Sequence, residues 1–125
     1  MKYSILIIMS LWVVACSAHD DHYYSLHPDA LQQALKKCPE QQPSQISCAQ
    51  LKDVADRVNA LAYELRLNPQ DFGKQILVLQ QTVAKQESVL QQQVNQPALT
   101  AELDKNRQQL KDRLAIVKWL ESPES

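Results

Sequence analysis

Two long helices are predicted by Asn68–Leu120, which reads NPQDFGKQILVLQQTVAKQESVLQQQVNQPALTAELDKNRQQLKDRLAIVKWL. Apolar residues recur there at alternate steps of four and three on both sides of Pro97, which is the pattern of a helical seam. They are Phe72, Ile76, Leu79, Val83, Leu90 and Val94, followed by Leu99, Leu103, Leu110, Leu114 and Val117. We therefore predict helices over about 69–95 and 98–120, folded back on each other as an antiparallel coiled-coil-like hairpin.

Two features of this hairpin carry alternative interpretations. Gln86 and Glu87 interrupt the first seam once. The glutamine run here indicates either a solvated helix face or a prion-like tract, and it consists of Gln80, Gln81, Gln86, Gln91, Gln92 and Gln93. The solvated face is favoured, because the apolar period continues through the glutamines. Trp119, near the end of the second helix, either packs the base of the hairpin or contacts a partner.

A shorter helical hairpin is predicted before the long one, over about 28–38 and 48–67. Pro28 suits a first helical position, and Cys38-Pro39 ends the first helix. Ser47 and Gln50 have the spacing of a capping box for the second helix. Strong helix formers dominate the composition and there is a single glycine, so we predict an all-α chain with one domain over 25–121.

The first fifteen residues have the pattern of a secretory signal peptide. One lysine precedes roughly a dozen mostly apolar residues, fewer than the about 20 that span a bilayer. The run ends in Val13-Val14-Ala15-Cys16, which resembles the lipobox of bacterial lipoproteins. That resemblance implies cleavage after residue 15 and acyl chains on Cys16, with 16–24 as lipidated N-terminus and tether. The alternatives are a plain signal peptide with Cys16 left as a thiol, an early-ending transmembrane helix, or a buried helix.

The cysteine count agrees with lipidation. The chain has three cysteines, and exported proteins rarely keep an unpaired thiol. If Cys16 carries lipid, Cys38 and Cys48 are the only pair left, at the facing ends of two predicted helices. A disulfide there would stabilise the fold by about 2.5 to 3 kcal/mol in the chain-entropy model. The alternative is two reduced thiols in a cytosolic protein.

Charge and motifs exclude several functional classes. The formal net charge is -1, and removing 1–15 removes only Lys2, which changes it to about -2. This balance argues against nucleic acid or anionic lipid as the main partner. No GxSxG, HExxH or P-loop motif occurs, so we expect no enzyme activity, no cofactor and no small-molecule substrate.

A metal site is the alternative to a plain polar tether after Cys16. The side chains that it would use are His19, Asp20, Asp21 and His22. No further His or Cys stands at ligand spacing to complete such a site, so none is predicted.

The segment YYSLHPDALQQALKKCPEQQPSQISCAQ, Tyr23–Gln50, resembles the N-terminal module of the entry-exclusion lipoproteins of conjugative plasmids (the EexN-like group). The matching residues are Tyr23, Tyr24, His27, Pro28, Asp29, Leu35, Cys38, Cys48 and Ala49. The resemblance implies a protein on the membrane of a plasmid-bearing cell. It would block redundant DNA transfer by binding a component of an incoming type IV secretion machine.

The candidates for that protein-binding surface are Tyr23, Tyr24, Leu26 and His27, together with Trp119. The alternative for the two tyrosines is that they cover the top of the short hairpin. The alternative function is a structural or accessory lipoprotein of an envelope or type IV secretion complex. Ser17, rather than aspartate, follows Cys16, and by resemblance to Gram-negative lipoproteins this implies the outer membrane, facing the periplasm.

Overall fold

The structure, a computed structural model, describes residues 20–43, 45–93 and 95–121, and this part of the chain is helical without any strand. Its five helices are α1 (Asp21–Leu26), α2 (Pro28–Lys37), α3 (Cys48–Leu67), α4 (Pro69–Gln92) and α5 (Pro97–Glu121). The all-α prediction is confirmed. The predicted signal peptide and Cys16 lie outside the described residues. None of the described helices combines the length and apolar content that a bilayer crossing requires.

Local capping rules account for where the long helices begin. The Ser47 hydroxyl accepts from the Gln50 amide at 3.1 Å, and the Gln50 side chain accepts from the Ser47 amide at 2.9 Å, which is the predicted capping box. Asn68 caps α4 by accepting from the Asp71 amide at 3.1 Å. The turn between α4 and α5 is slightly longer than predicted, since α4 already ends at Gln92.

Helix α1 corrects the described part of the predicted tether, since residues 21–24 are helical. The Asp20 carboxylate caps this helix by accepting from the Tyr23 amide at 3.0 Å. Tyr24 is only 7% exposed, and the Ser25 hydroxyl donates to the Asp112 carboxylate at 3.0 Å. The folded domain therefore includes α1, because Tyr24 and Ser25 contact elements far along the chain.

The short hairpin is closed by a disulfide between Cys38 and Cys48, whose Cα atoms lie 6.0 Å apart. The bond joins the residue after α2 to the first residue of α3. Helices α4 and α5 then pack against each other as the long hairpin. Both hairpins of the predicted fold are confirmed.

The hydrophobic core lies where α1, α2 and α3 meet the start of α4 and the end of α5. Leu51 of α3, Phe72 of α4 and Ile116 of α5 are completely buried. Leu114, which the sequence spacing placed on the α5 seam, is instead 42% exposed. The prediction that Leu114 is buried was wrong. The end of α5 packs on α1 and α3 as well as on α4, so this part of α5 buries a different face.

Candidate partner-binding groove

An open groove of about 410 Å³ lies between the α1–α2 junction and the end of α5. Three predicted partner-binding residues, Leu26, His27 and Trp119, line it together. The remaining lining residues are Pro28, Asp29, Ala30, Ala115 and Lys118. The fold thus joins residues from the two ends of the domain at one surface.

His27 forms one wall of the groove from the single residue that separates α1 from α2. Its Nδ1 lies 2.8 Å from the carbonyl oxygen of Tyr23. Because a carbonyl oxygen only accepts, this contact places a proton on Nδ1. The imidazole also stacks on the Tyr23 ring, with 4.2 Å between ring centroids. The exposed histidine is therefore held in one orientation at the groove.

Trp119 forms the opposite wall and also fastens the end of α5 to the start of α2. Its indole Nε1 donates to the Asp29 carboxylate at 3.1 Å, and its partly buried ring packs against the core. The two interpretations of this tryptophan, packing and partner contact, are therefore compatible. One part of the side chain packs on the domain, and another part lines the groove.

The two tyrosines do not line this groove. Tyr24 belongs to the core, and its ring meets that of Tyr23 edge to face at a centroid distance of 5.3 Å. Tyr24 is only 7% exposed and lines a separate groove with Tyr23, so its role in partner binding stays a prediction. Tyr23 is partly buried, and its ring stacks on the imidazole of His27, which lines the groove.

The sequence analysis missed Lys118, Ala115 and the first turn of α2 as groove residues. Ala115 lies one helical turn before Trp119, so helical periodicity alone places the two on one face. What periodicity does not show is that this face meets α2. Small side chains at Ala30 and Ala115 leave room in the groove. The exposed ammonium of Lys118 and the carboxylate of Asp29 add one charge of each sign.

Chemically, the groove is suited to recognition. It combines apolar surface from Leu26, Pro28 and Trp119 with polar groups that are already oriented, as protein-binding pockets do. Elsewhere in the part of the chain that the structure describes, no three His, Cys, Asp or Glu side chains are grouped so as to hold a metal ion. His19, one of the residues considered for metal binding, lies outside that part.

No family model, curated protein or solved structure matches this chain.

Proposed function

We propose that the chain is a periplasm-facing lipoprotein of the outer membrane that binds another envelope protein and thereby takes part in entry exclusion against conjugative transfer. The observation that carries the proposal is the convergence of Leu26, His27 and Trp119 on one open groove. Protein binding is the whole activity in this proposal, and no catalytic step, cofactor or nucleic acid takes part in it.

The N-terminal sequence supports the membrane anchor. Cys16, with its lipobox-like residues, would carry three acyl chains, which exceeds the two membrane signals that stable anchoring requires. Only Ser17–Asp20 separates this cysteine from α1. That segment reaches at most about 14 Å when fully extended. The proposed anchor therefore holds the domain, and the groove with it, close to the bilayer surface.

The disulfide supports the compartment. Disulfides persist in oxidising compartments such as the periplasm and are rare in the cytosol. The bond between Cys38 and Cys48 closes the connection between α2 and α3. This pairing leaves Cys16 as the cysteine available for lipid.

The alternative proposal is a structural or accessory lipoprotein of an envelope complex. It is favoured by the long α4–α5 hairpin and by two strongly exposed apolar side chains on α4, Leu77 at 58% and Val78 at 59%. A permanent partner could cover these residues. This role would affect the cell's own export machinery, whereas exclusion would affect only incoming DNA.

The groove is tested in recipient cells that express the full chain and are mated with donors that carry conjugative plasmids of several transfer systems. We expect the wild-type chain to lower the transfer frequency of at least one plasmid. Lys118→Glu, which reverses the charge at the groove, and Ala115→Phe, which fills the groove, should restore transfer.

The matched control is Lys111→Glu, the same charge reversal at an exposed position of α5 that does not line the groove. It should exclude plasmids as the wild type does. If the wild type excludes none of them, but its deletion reduces DNA export from the plasmid-bearing host, the accessory role replaces the exclusion proposal. Equal effects of the two lysine variants would remove the groove from the proposal.

A further inference from the structure

We infer that a polar layer in the long hairpin restricts α4 and α5 to one pairing register and disfavours pairing of α4 with an apolar seam of a neighbouring copy. The layer consists of Gln86 and Glu87 on α4 and Asn106 and Arg107 on α5. It lies away from the groove, and the inference does not depend on the proposed function.

The layer lies where the apolar seams of both helices are interrupted. On α4 the apolar seam breaks between Val83 and Leu90, and on α5 it breaks between Leu103 and Leu110. The antiparallel pairing brings the two breaks to the same level, so polar residues meet polar residues. With a rise of about 1.5 Å per residue, the same register sets Leu90 level with Leu103.

The contacts within the layer are specific. The Asn106 amide donates to the Gln86 side-chain oxygen at 3.1 Å. Gln86 is only 8% exposed, so the prediction that it lies on a solvated face with the other glutamines was wrong. Beside this pair, the Arg107 guanidinium donates twice to one oxygen of Glu87, at 3.2 and 2.7 Å. No buried side-chain nitrogen or oxygen lacks a hydrogen-bond partner in the described residues, so the layer is satisfied in this register.

Stability alone does not explain the layer. The side chains of Arg107 and Glu87 are both 43% exposed, and ion pairs of that exposure contribute little. Replacing both partners of a hydrogen bond by apolar groups of the same shape can leave the stability nearly unchanged or raise it. Two leucines in place of Gln86 and Asn106 would continue both seams without interruption.

Register selection does explain it. If the helices shift by one heptad, or if α4 pairs with an apolar seam of another copy, the Gln86 amide faces leucine or valine. A buried amide without a hydrogen-bond partner costs desolvation free energy that the paired amide does not. A single polar residue in an apolar seam can therefore specify the register of two helices. A domain-swapped pair would keep Gln86 opposite Asn106, so the layer does not act against swapping.

The test compares the full chain with its Gln86→Leu/Asn106→Leu variant, each carrying one of two cysteine pairs in the seam. Leu90→Cys with Leu103→Cys reports the native register, and Val83→Cys with Leu103→Cys reports a shift of one heptad. Disulfides formed on mild oxidation are mapped by peptide mass, and cross-linked dimers are separated on non-reducing gels.

In the chain with the wild-type layer, we expect the cross-link between positions 90 and 103 to form within one chain. Little cross-link should form between positions 83 and 103. In the leucine variant the ratio of native to shifted cross-links should fall by about tenfold or more, with dimers among the products. The matched control is Gln81→Leu/Gln109→Leu, which adds leucines at exposed positions of the same helices. It should keep the wild-type ratio.

Two outcomes overturn the inference. The first is an unchanged cross-link pattern in the leucine variant. The second is loss of helicity in that variant by circular dichroism, since the layer would then be required for folding itself. Exchanging the two amides, as Gln86→Asn/Asn106→Gln, keeps an amide pair and should preserve the native register. A shift of register in this exchange variant would also contradict the inference.

Discussion

At the scale of single residues, Arg113 joins three helices. Its guanidinium carbon lies 4.9 Å from the centroid of the Phe72 ring, and its Nη1 donates to the Glu64 carboxylate at 3.2 Å. The Arg113 side chain is 17% exposed, so the cation lies over the aromatic ring in a partly desolvated position. Phe72 is thus covered by α5 while it anchors the first turn of α4 in the core.

Replacement of Phe72 by alanine should lower the free energy of unfolding by about 3 to 5 kcal/mol. The reason is that a completely buried aromatic ring is lost and a cavity is left between α4 and the rest of the core. Urea denaturation followed by circular dichroism measures the change. The control is Leu77→Ala on the same helix, at a side chain that is 58% exposed. A loss below about 0.5 kcal/mol is expected there, and equal losses would contradict this packing.

At the scale of elements, the two hairpins are stabilised in different ways. The long hairpin has extended helices and a seam that runs along both of them. The short hairpin includes α2, which has ten residues, too few for a helix that is stable by itself in water. Its stability comes from Leu31 in the core, from the Trp119–Asp29 contact and from the disulfide to α3.

Removal of the disulfide by Cys38→Ser/Cys48→Ser should lower the free energy of unfolding by about 2.5 to 3 kcal/mol, because the unfolded chain is no longer constrained. Replacing both cysteines avoids a free thiol that would confuse the result. The measurement is a denaturant titration of the oxidised wild type beside the double variant. Reduced wild type should behave like the variant, and coincident curves for oxidised and reduced protein would show that the bond is not formed.

At the scale of the whole molecule, the groove lies where two distant parts of the chain meet. The α1–α2 junction follows closely after the proposed lipid attachment site, and the end of α5 completes the opposite wall. If Cys16 carries lipid, binding and anchoring belong to neighbouring parts of the molecule. A partner in the groove would then be held near the membrane surface.

The anchor itself is tested by intact mass and membrane fractionation of the native protein beside Cys16→Ala. We expect a mature chain that begins at Cys16, carries three acyl chains and lacks the two hydrogens lost in the disulfide. The alanine variant should carry no acyl chains, because it has no thiol at position 16 to which they could be attached. A soluble wild-type product with free thiols would contradict both the anchor and the compartment.

Local rules were sufficient for the helices and their ends. The period of apolar residues predicted α4 and α5, and the capping box at Ser47 lies where short-range spacing placed it. The pairing of Cys38 with Cys48 was also predictable, since both lie at helix ends across a short loop. These features depend on residues close together in the chain, so their spacing alone carries the information.

Other features required the packing of distant elements. Helix α1 is too short to show an apolar period, and its Tyr24 is buried only because α3 and α5 cover that region. The same packing of distant helices decides three further features. Ile116 is buried instead of Leu114, Gln86 pairs with Asn106, and His27 and Trp119 line one groove. Helical spacing shows which residues share a face. Which helix packs against that face depends on how all the helices bury their apolar surface together.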